Sequence, residues 1–240
     1  MSKLQRKPDI SAFFPAYNEE GNIVALATKT AGVLKRVARK WEVIVVNDGS
    51  RDRTAEVVKG LSKKMPGVRL VDHVVNQGYG AAVKSGFKAA RYEWIFFTDG
   101  DGQFDVEEIG ELLPLLERHD LVVGYRIHRA DPLQRKLNAK AWGLLVKTLF
   151  MLRGVRDIDC AFKFVRKDVF EKFKLETEGA MISAELLVKS QKNGFRIAEI
   201  GVHHYPRQAG QQTGAKLSVI ARAFKELFFY AWKWYRNGFH

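Results

Sequence analysis

The sequence predicts an α/β fold: a doubly wound, mostly parallel sheet flanked by helices, with a helical C-terminal extension. Two observations carry this. Five apolar, β-branched-rich runs occur up to residue 125, with helix-compatible segments between them. The runs are nearly continuous rather than alternating, the pattern of strands buried on both faces of a parallel sheet. Strand–helix alternation at this spacing implies right-handed βαβ units.

In chain order the strands are expected at "ISAFFP" (10–15), "EVIVVND" (42–48), "VRLVDHV" (68–74), "WIFFTD" (94–99) and "DLVVGY" (120–125). After the first, Ile23, Ala27, Ala31, Leu34 and Ala38 recur at spacings of three or four, so a helix is expected with one apolar stripe. Segments 52–64, 79–91 and 105–118 are also helix-compatible. Beyond residue 130 the pattern becomes mainly helical. Residues 133–154 place Leu137, Trp142, Leu145, Leu149 and Leu152 on or near one face, 195–206 reads as one or two extended segments, and 216–236 as a final helix. No Pro/Ser-rich linker, repeat or low-complexity tract interrupts the chain. A single domain over 1–240 is expected, with halves 8–130 and 131–215 and a closing amphipathic helix, 216–240.

At 240 residues and 46% hydrophobic the chain can bury a substantial core. Lys and Arg number 40 against 27 Asp and Glu, a net charge of +13, which favours polyanionic partners: nucleic acid, anionic lipid or phosphorylated substrates. No zinc-ligand spacing, aromatic RNA-binding signature or helix-turn-helix accompanies the charge, so no nucleic acid is expected, and a basic nucleic-acid-binding module is the non-enzyme alternative. The single Cys160 excludes an internal disulfide framework and suits a reducing compartment. "MSKLQRKPD" has no apolar h-region behind it and does not read as a signal peptide. Nowhere do about 18 apolar residues run together to span a bilayer.

Open α/β sheets bind ligands at the carboxyl ends of their strands. Here those ends carry "AYNEE", "NDGSRD", "NQGYG", "DGDGQ" and "YR", so acidic groups gather on one edge. "WIFFTDGDGQFD" raises three chemistries. A calcium EF-hand would need Gly and Glu where Phe104 and Gly110 stand, and a helix where a strand precedes. A phosphatase of the haloacid dehalogenase type would open its fold with such a motif and follow it with Thr, whereas three strand–helix units come first and Gln103 follows. The metal seat remains: Asp99 and Asp101, two residues apart at a strand end, can hold one Mg²⁺ or Mn²⁺ through oxygen, and the metal clamps a diphosphate. Gly78 and Gly80 lack the third glycine of a dinucleotide fingerprint, Val83 standing there, so that loop reads as structural.

Taken in order, "FPAYNEEGNI", "EVIVVNDGSRDRT", "NQGYGAAVKSGF", "TDGDGQ", "VVGYR", "DIDCAFKFVRKDVF" and "YPRQAGQQTGAK" resemble the inverting glycosyltransferases of family 2, with the GT-A fold, in particular the dolichol- or polyprenyl-phosphate mannose synthases. The resemblance implies transfer of a sugar, possibly mannose, from a nucleoside-diphosphate sugar (GDP-mannose or a UDP-sugar) to a polyprenyl phosphate, and makes 8–130 the nucleotide-sugar half and 131–215 the acceptor side. It places Pro15, Tyr17, Glu19, Val46 and Asp48 around the nucleoside. Glu19 suits ribose hydroxyls and Asp48 a base N–H, with a turn or cap role the alternative for Asp48. It groups Asp99, Asp101 and Gln103 with metal and diphosphate, Asp101 as the direct ligand, and Gly100 with the donor contacts. Arg126 is implied at donor phosphates or sugar, a surface arginine being the alternative. Arg207 and Lys216 resemble a loop that closes over the diphosphate. There the family's Arg-x-x-Gly-x-Ser-Lys becomes "RQAGQQTGAK", three residues longer, with Thr213 near the place of the Ser.

An anionic lipid phosphate needs no general base, only positioning, and Arg135 matches the family's acceptor-phosphate arginine. A hydroxyl acceptor, of a glycan or another molecule, would need a carboxylate base, for which Asp157, Asp159 and Glu185 are candidates, a helix-surface role being the alternative for Glu185. His203 and His204, adjacent on a strand, point to opposite faces and do not read as a metal pair. On the final helix Leu217, Ile220, Phe224, Leu227, Phe228, Ala231 and Tyr235 form one stripe, widened by Phe229 and Trp232, with Arg222, Lys225, Lys233 and Arg236 mainly opposite. Such a helix suits a membrane interface or packing on protein. The expected location is cytoplasmic, peripheral at the inner face of the membrane.

Overall fold

The computed structural model describes residues 6–127, 133–207 and 217–240. One seven-stranded sheet runs through it in the order β3-β2-β1-β4-β6-β5-β7. The first four strands follow the sequence: β1 (Asp9–Ala16), β2 (Lys40–Asp48), β3 (Val68–His73) and β4 (Trp94–Phe97), alternating with α1 (Ile23–Val37), α2 (Thr54–Lys64) and α3 (Tyr79–Ala89). All their mutual pairings are parallel, with Phe13 opposite Ile44 on one side and Phe97 on the other. β1 and β2 are almost wholly buried, as continuous apolar runs require. Phe13 stacks on Phe97 at 5.3 Å between ring centroids, and α3 packs over them through Phe87.

The chain departs from expectation between β4 and β5. The expected helix over 105–118 is broken into a 3-10 turn (Val106–Glu108), a single α turn, α4 (Ile109–Leu112), and a second 3-10 turn (Leu113–Glu117). Pro114 supplies the reason, lacking the N–H that a continuing α-helix needs. β5 (Leu121–Arg126) then joins the sheet, but not beside β4.

A strand not legible in the sequence, β6 (Lys163–Arg166), lies between them, antiparallel to both. It follows α5 (Leu133–Phe150), and four residues with a charge at each end give no apolar run to recognise. α5 stops four residues short of the expected 154, at Met151 with φ of 53°. α6 (Ile182–Lys192), β7 (Ile197–Val202), parallel to β5 on the sheet edge, and α7 (Leu217–Asn237) complete the chain. With β6 inverted, β1 to β5 still point the same way and present their carboxyl ends on one edge. Trp142, Leu145 and Leu149 of the expected α5 stripe meet the core, which also takes Val146 and Phe150, while Leu137 is exposed.

Candidate active site

A cavity of about 490 Å³ opens at those strand ends. β1 contributes Pro15 and the turn after it Tyr17 and Glu19, β2 contributes Asp48, and the loop after β4 contributes Asp99, Gly100, Asp101 and Gln103. Arg126 and Arg207 also line the cavity. Val46, in register with Pro15, is fully buried in β2 and does not line the cavity, because its side chain lies within the packed layer. Asp48 accepts hydrogen bonds from His73 Nδ1 (2.7 Å), the Gln77 N–H and the Gly78 N–H (both 2.9 Å). It therefore shapes the loop before α3 as well as facing the cavity.

The loop after β4 is packed close to β1: a Cβ on Gly100 would stand 2.9 Å from the Pro15 carbonyl oxygen, closer than real Cβ contacts come. Asp99 is held by the Tyr79 hydroxyl, which donates to it at 2.9 Å. Burial, then the neighbouring Asp101 charge, push the Asp99 carboxyl up to about 7. Asp101 accepts from the Gln103 N–H (3.1 Å) and faces Arg207 across 3.7 Å. Arg207 also donates to Glu19, whose carboxyl is raised chiefly by burial against the lowering effect of Asn22 and Arg207. Gln103 gives its side-chain amide to the Tyr205 carbonyl (2.9 Å) and exchanges main-chain bonding there, which draws the segment before Arg207 onto the β4 loop.

Arg126, at the end of β5, makes a two-pronged pair with Asp157, both bonds 2.7 Å. Both side chains are largely buried; burial alone would lower the guanidinium, but the hydrogen bonds it donates to Asp157, then the Asp157 charge, outweigh that and hold it above its ordinary value. Of the carboxylates considered as bases, Asp157 is thus occupied by Arg126. Glu185 is no surface group: fully buried on α6, it accepts from the Glu176 and Thr177 N–H groups and the Thr177 hydroxyl, each at 2.8 Å, so it caps a loop. Asp159 lines the cavity. His203 leaves the cavity to pair with Glu108, while His204 turns in beside Phe104. Cys160 is fully buried, and burial pushes its thiol up to about 12. Arg135 sits in the first turn of α5 with its side chain outside the described residues, and Lys216 lies outside them altogether.

A model of the family described as Glycosyl transferase family 2 matches residues 11–173. The chain belongs to glycosyltransferase family 2. Among curated family 2 relatives, a dolichyl-phosphate beta-glucosyltransferase of Trichomonas vaginalis is 35% identical over 206 residues, 78% of this chain and 61% of that one. An undecaprenyl-phosphate 4-deoxy-4-formamido-L-arabinose transferase of Shewanella sediminis is 30% identical over 220 residues, 90% of this chain and 64% of that one. The chain thus spans less than two thirds of the length of either relative. Among solved structures, glucosyl-3-phosphoglycerate synthase of Mycobacterium tuberculosis with Mn²⁺, UDP and its glucosylated product superposes with a TM-score of 0.73 at 19% identity, over 93% of this chain and 80% of that one. That likeness establishes the GT-A fold of this family 2 chain.

The donor atoms in the crevice suit a divalent cation. Two carboxylates two residues apart, one raised by burial and by its neighbour, hold excess negative charge that a cation relieves. Among the described residues no group of three His, Cys, Asp or Glu side chains is arranged to hold a metal, so a cation held by Asp99 and Asp101 would need further oxygen ligands from a diphosphate or water.

Several features of this family 2 site were not read from the sequence. Tyr79 stood in view inside "NQGYG", read only as loop. Lys163, fully buried on β6, donates to the Ile158 carbonyl (3.2 Å) and to that of Cys160, fastening the turn that carries Asp159. The Glu178–Ala180 segment closes one wall, docked by the Gly80 N–H on the Glu178 carbonyl (2.8 Å). Ala223 and Glu226 of α7 complete it, so the last helix is part of the cavity wall.

Proposed function

We propose that the chain transfers a hexose from a nucleoside-diphosphate sugar to a polyprenyl phosphate, with inversion at C1 and with Mg²⁺ or Mn²⁺. The observation that supports this most is the convergence of Asp99, Asp101 and Arg207 on one crevice of a family 2 chain. Pro15, Tyr17, Glu19 and Asp48 bind the nucleoside, with Val46 as packing behind Pro15. Asp99 and Asp101 hold the cation, with Gln103 and Gly100 shaping its loop; the cation, when bound, neutralises charge on the departing diphosphate. Arg207 exchanges its carboxylate partners for the diphosphate, with Lys216 from the same segment.

In the transfer, a phosphate oxygen of the acceptor attacks C1 on the face opposite the diphosphate. The C1–O bond to the diphosphate breaks and its electron pair leaves on the nucleoside diphosphate. A monoester dianion becomes a diester monoanion and no proton moves, so no side chain acts as base. Arg126 and Arg135 orient the reacting groups.

The relatives' names point to glucose or a substituted arabinose, and the mycobacterial structure holds UDP, so UDP-glucose is favoured over GDP-mannose as donor. Membrane contact is peripheral, at the inner face, through α7; no helix of the described residues is long and apolar enough to cross a membrane. The test is chloroform-extractable radiolabel from UDP-glucose and undecaprenyl phosphate, run beside GDP-mannose. Product is expected to fall about a thousandfold in chelator and in Asp101→Ala, since metal and charge stabilisation supply several kcal/mol of the barrier reduction. Activity that survived both would sink the metal role, and no lipid-linked product from any donor would sink the acceptor assignment.

A further inference from the structure

Asp48 is held from behind by two residues that lie outside the cavity. The register of β2 and β3 sets His73 opposite Asp48. The imidazole, its side chain only 9% exposed, stands between two partners: Nδ1 lies 2.7 Å from Asp48 Oδ1, and Nε2 lies 2.8 Å from the Ser85 hydroxyl of α3. A carboxylate only accepts, so Nδ1 carries the proton of the first bond. Asp48 lines the strand-end cavity and His73 does not. We infer that His73, steadied by Ser85, is a positioning residue that sets base selectivity: it leaves Asp48 one open acceptor position, which fits the single ring N–H of uracil and not the paired donors of guanine. The inference rests on the function proposed above, whose nucleoside pocket it refines.

A carboxylate offers about four lone-pair positions, two on each oxygen. Asp48 Oδ1 accepts from His73 and from the Gln77 N–H at 2.9 Å, which fills it, and Oδ2 accepts from the Gly78 N–H at 2.9 Å. Among the described residues, that leaves one position, on Oδ2. Uracil presents one N–H, at N3 between two carbonyls. Guanine presents N1–H and its exocyclic amine side by side, and the two engage a carboxylate through both oxygens. With Oδ1 filled, one guanine donor would enter the site unpaired. The two main-chain donors are fixed by their loop: Gly78 has φ of 97°, and the Asn76 side-chain amide donates to the Asp48 carbonyl at 3.0 Å. His73 is therefore the one donor of the three that a side-chain substitution removes.

The experiment measures binding of UDP, GDP and N3-methyl-UDP, each with Mn²⁺, to the full chain as wild type, His73→Phe, His73→Asn and Ser85→Ala, with Tm read in parallel. Wild type should bind UDP at least roughly tenfold more tightly than either other nucleotide, the loss expected when a buried polar group goes without its partner. His73→Phe should weaken UDP and bring UDP and GDP within about threefold of each other, because the freed Oδ1 position then takes the second guanine donor. His73→Asn, whose Nδ2–H takes the place of Nδ1–H, should restore the wild-type ratio, and Ser85→Ala should lower it part-way. A role in folding alone would weaken both nucleotides together and leave their ratio unmoved.

An unchanged ratio in His73→Phe overturns the inference; should that variant not fold, an unchanged ratio in Ser85→Ala does so. Tighter wild-type binding of GDP than of UDP, or equal binding of N3-methyl-UDP and UDP, also overturns it, and in both cases the sugar transfer proposed above still stands. No wild-type binding of any of these nucleotides removes the nucleoside pocket of the proposed function, and this inference with it.

Discussion

In the crevice at the strand ends, charged side chains are held at set points. Asp48 takes three hydrogen bonds, Asp99 is pinned by Tyr79, and Arg126 is gripped by Asp157. On the outer face of α5 and α7 the arrangement is reversed. α7 buries Leu227, Ala231 and Trp234 against the body of the protein, yet leaves Phe228, Phe229, Trp232 and Tyr235 at least half exposed. Of the two settings the sequence left open for this helix, packing on protein is what the structure shows; the opposite face is an exposed aromatic surface edged by Lys225 and Arg236. The contrast separates two tasks. Under the proposed function, charge that stabilises a reacting diphosphate would be most effective when its geometry is already set by folding, whereas a face that met fluid lipid would need apolar area and positive charge but no register.

The largest expected effect comes from breaking the crevice side. Arg126→Ala removes the two-pronged pair with the largely buried Asp157 and should cost about 3–5 kcal/mol, read as a Tm lower by roughly 10 °C. Adding Asp157→Asn should recover at least half of that loss. A Tm within about 2 °C of wild type for the single variant would mean that the crevice is not rigidly organised and the contrast is false.

On the other face, Phe228→Ser with Trp232→Ser should leave Tm within about 2 °C, since both side chains are exposed. Cosedimentation with anionic vesicles should nevertheless weaken about tenfold, equivalent to about 1.4 kcal/mol. The residual binding should fall with added salt, because the basic residues that remain act through a screened surface potential. Undiminished cosedimentation would show that another surface meets the membrane.

The smallest effect concerns the latch between the two regions. Burial alone would raise the Glu176 carboxyl, but hydrogen bonds from Lys233 and Trp234 and the charge of Lys189 outweigh it and hold the group at about 2. A carboxyl lowered in the folded state contributes stability above its unfolded value and loses it as pH falls from that value through about 2. Denaturant titrations between pH 6 and pH 2 should therefore show Glu176→Gln losing less stability than wild type, by about 1 kcal/mol after solvent screening. Parallel curves would remove Glu176 as the attachment of α7.

Much of this molecule was legible in one dimension. β1 to β4 and the intervening helices follow from local apolar patterns, and the rule that ligands lie at strand ends placed Asp99, Asp101 and Gln103 together before any coordinates. Short elements were not legible: β6 carries a charge at each end, and the 105–118 segment satisfied a helical pattern that Pro114 then interrupts. Nor could the sequence tell Glu185, a buried loop cap, from an exposed carboxylate, because the N–H groups that it accepts from belong to a separate loop.

The sequence by itself determined the layer architecture, the acidic strand end and the amphipathic close of the chain, since backbone propensity and apolar periodicity act between near neighbours. Only the tertiary structure decided that Arg126 belongs to Asp157, 31 residues away, that Arg207 reaches Glu19 across 188, and that α7 walls the strand-end cavity while its aromatic face stays exposed. Those are pairings between distant segments. Burial of the apolar core brings them together, and the identity of the partner is then set by which charges must be satisfied where water has been removed.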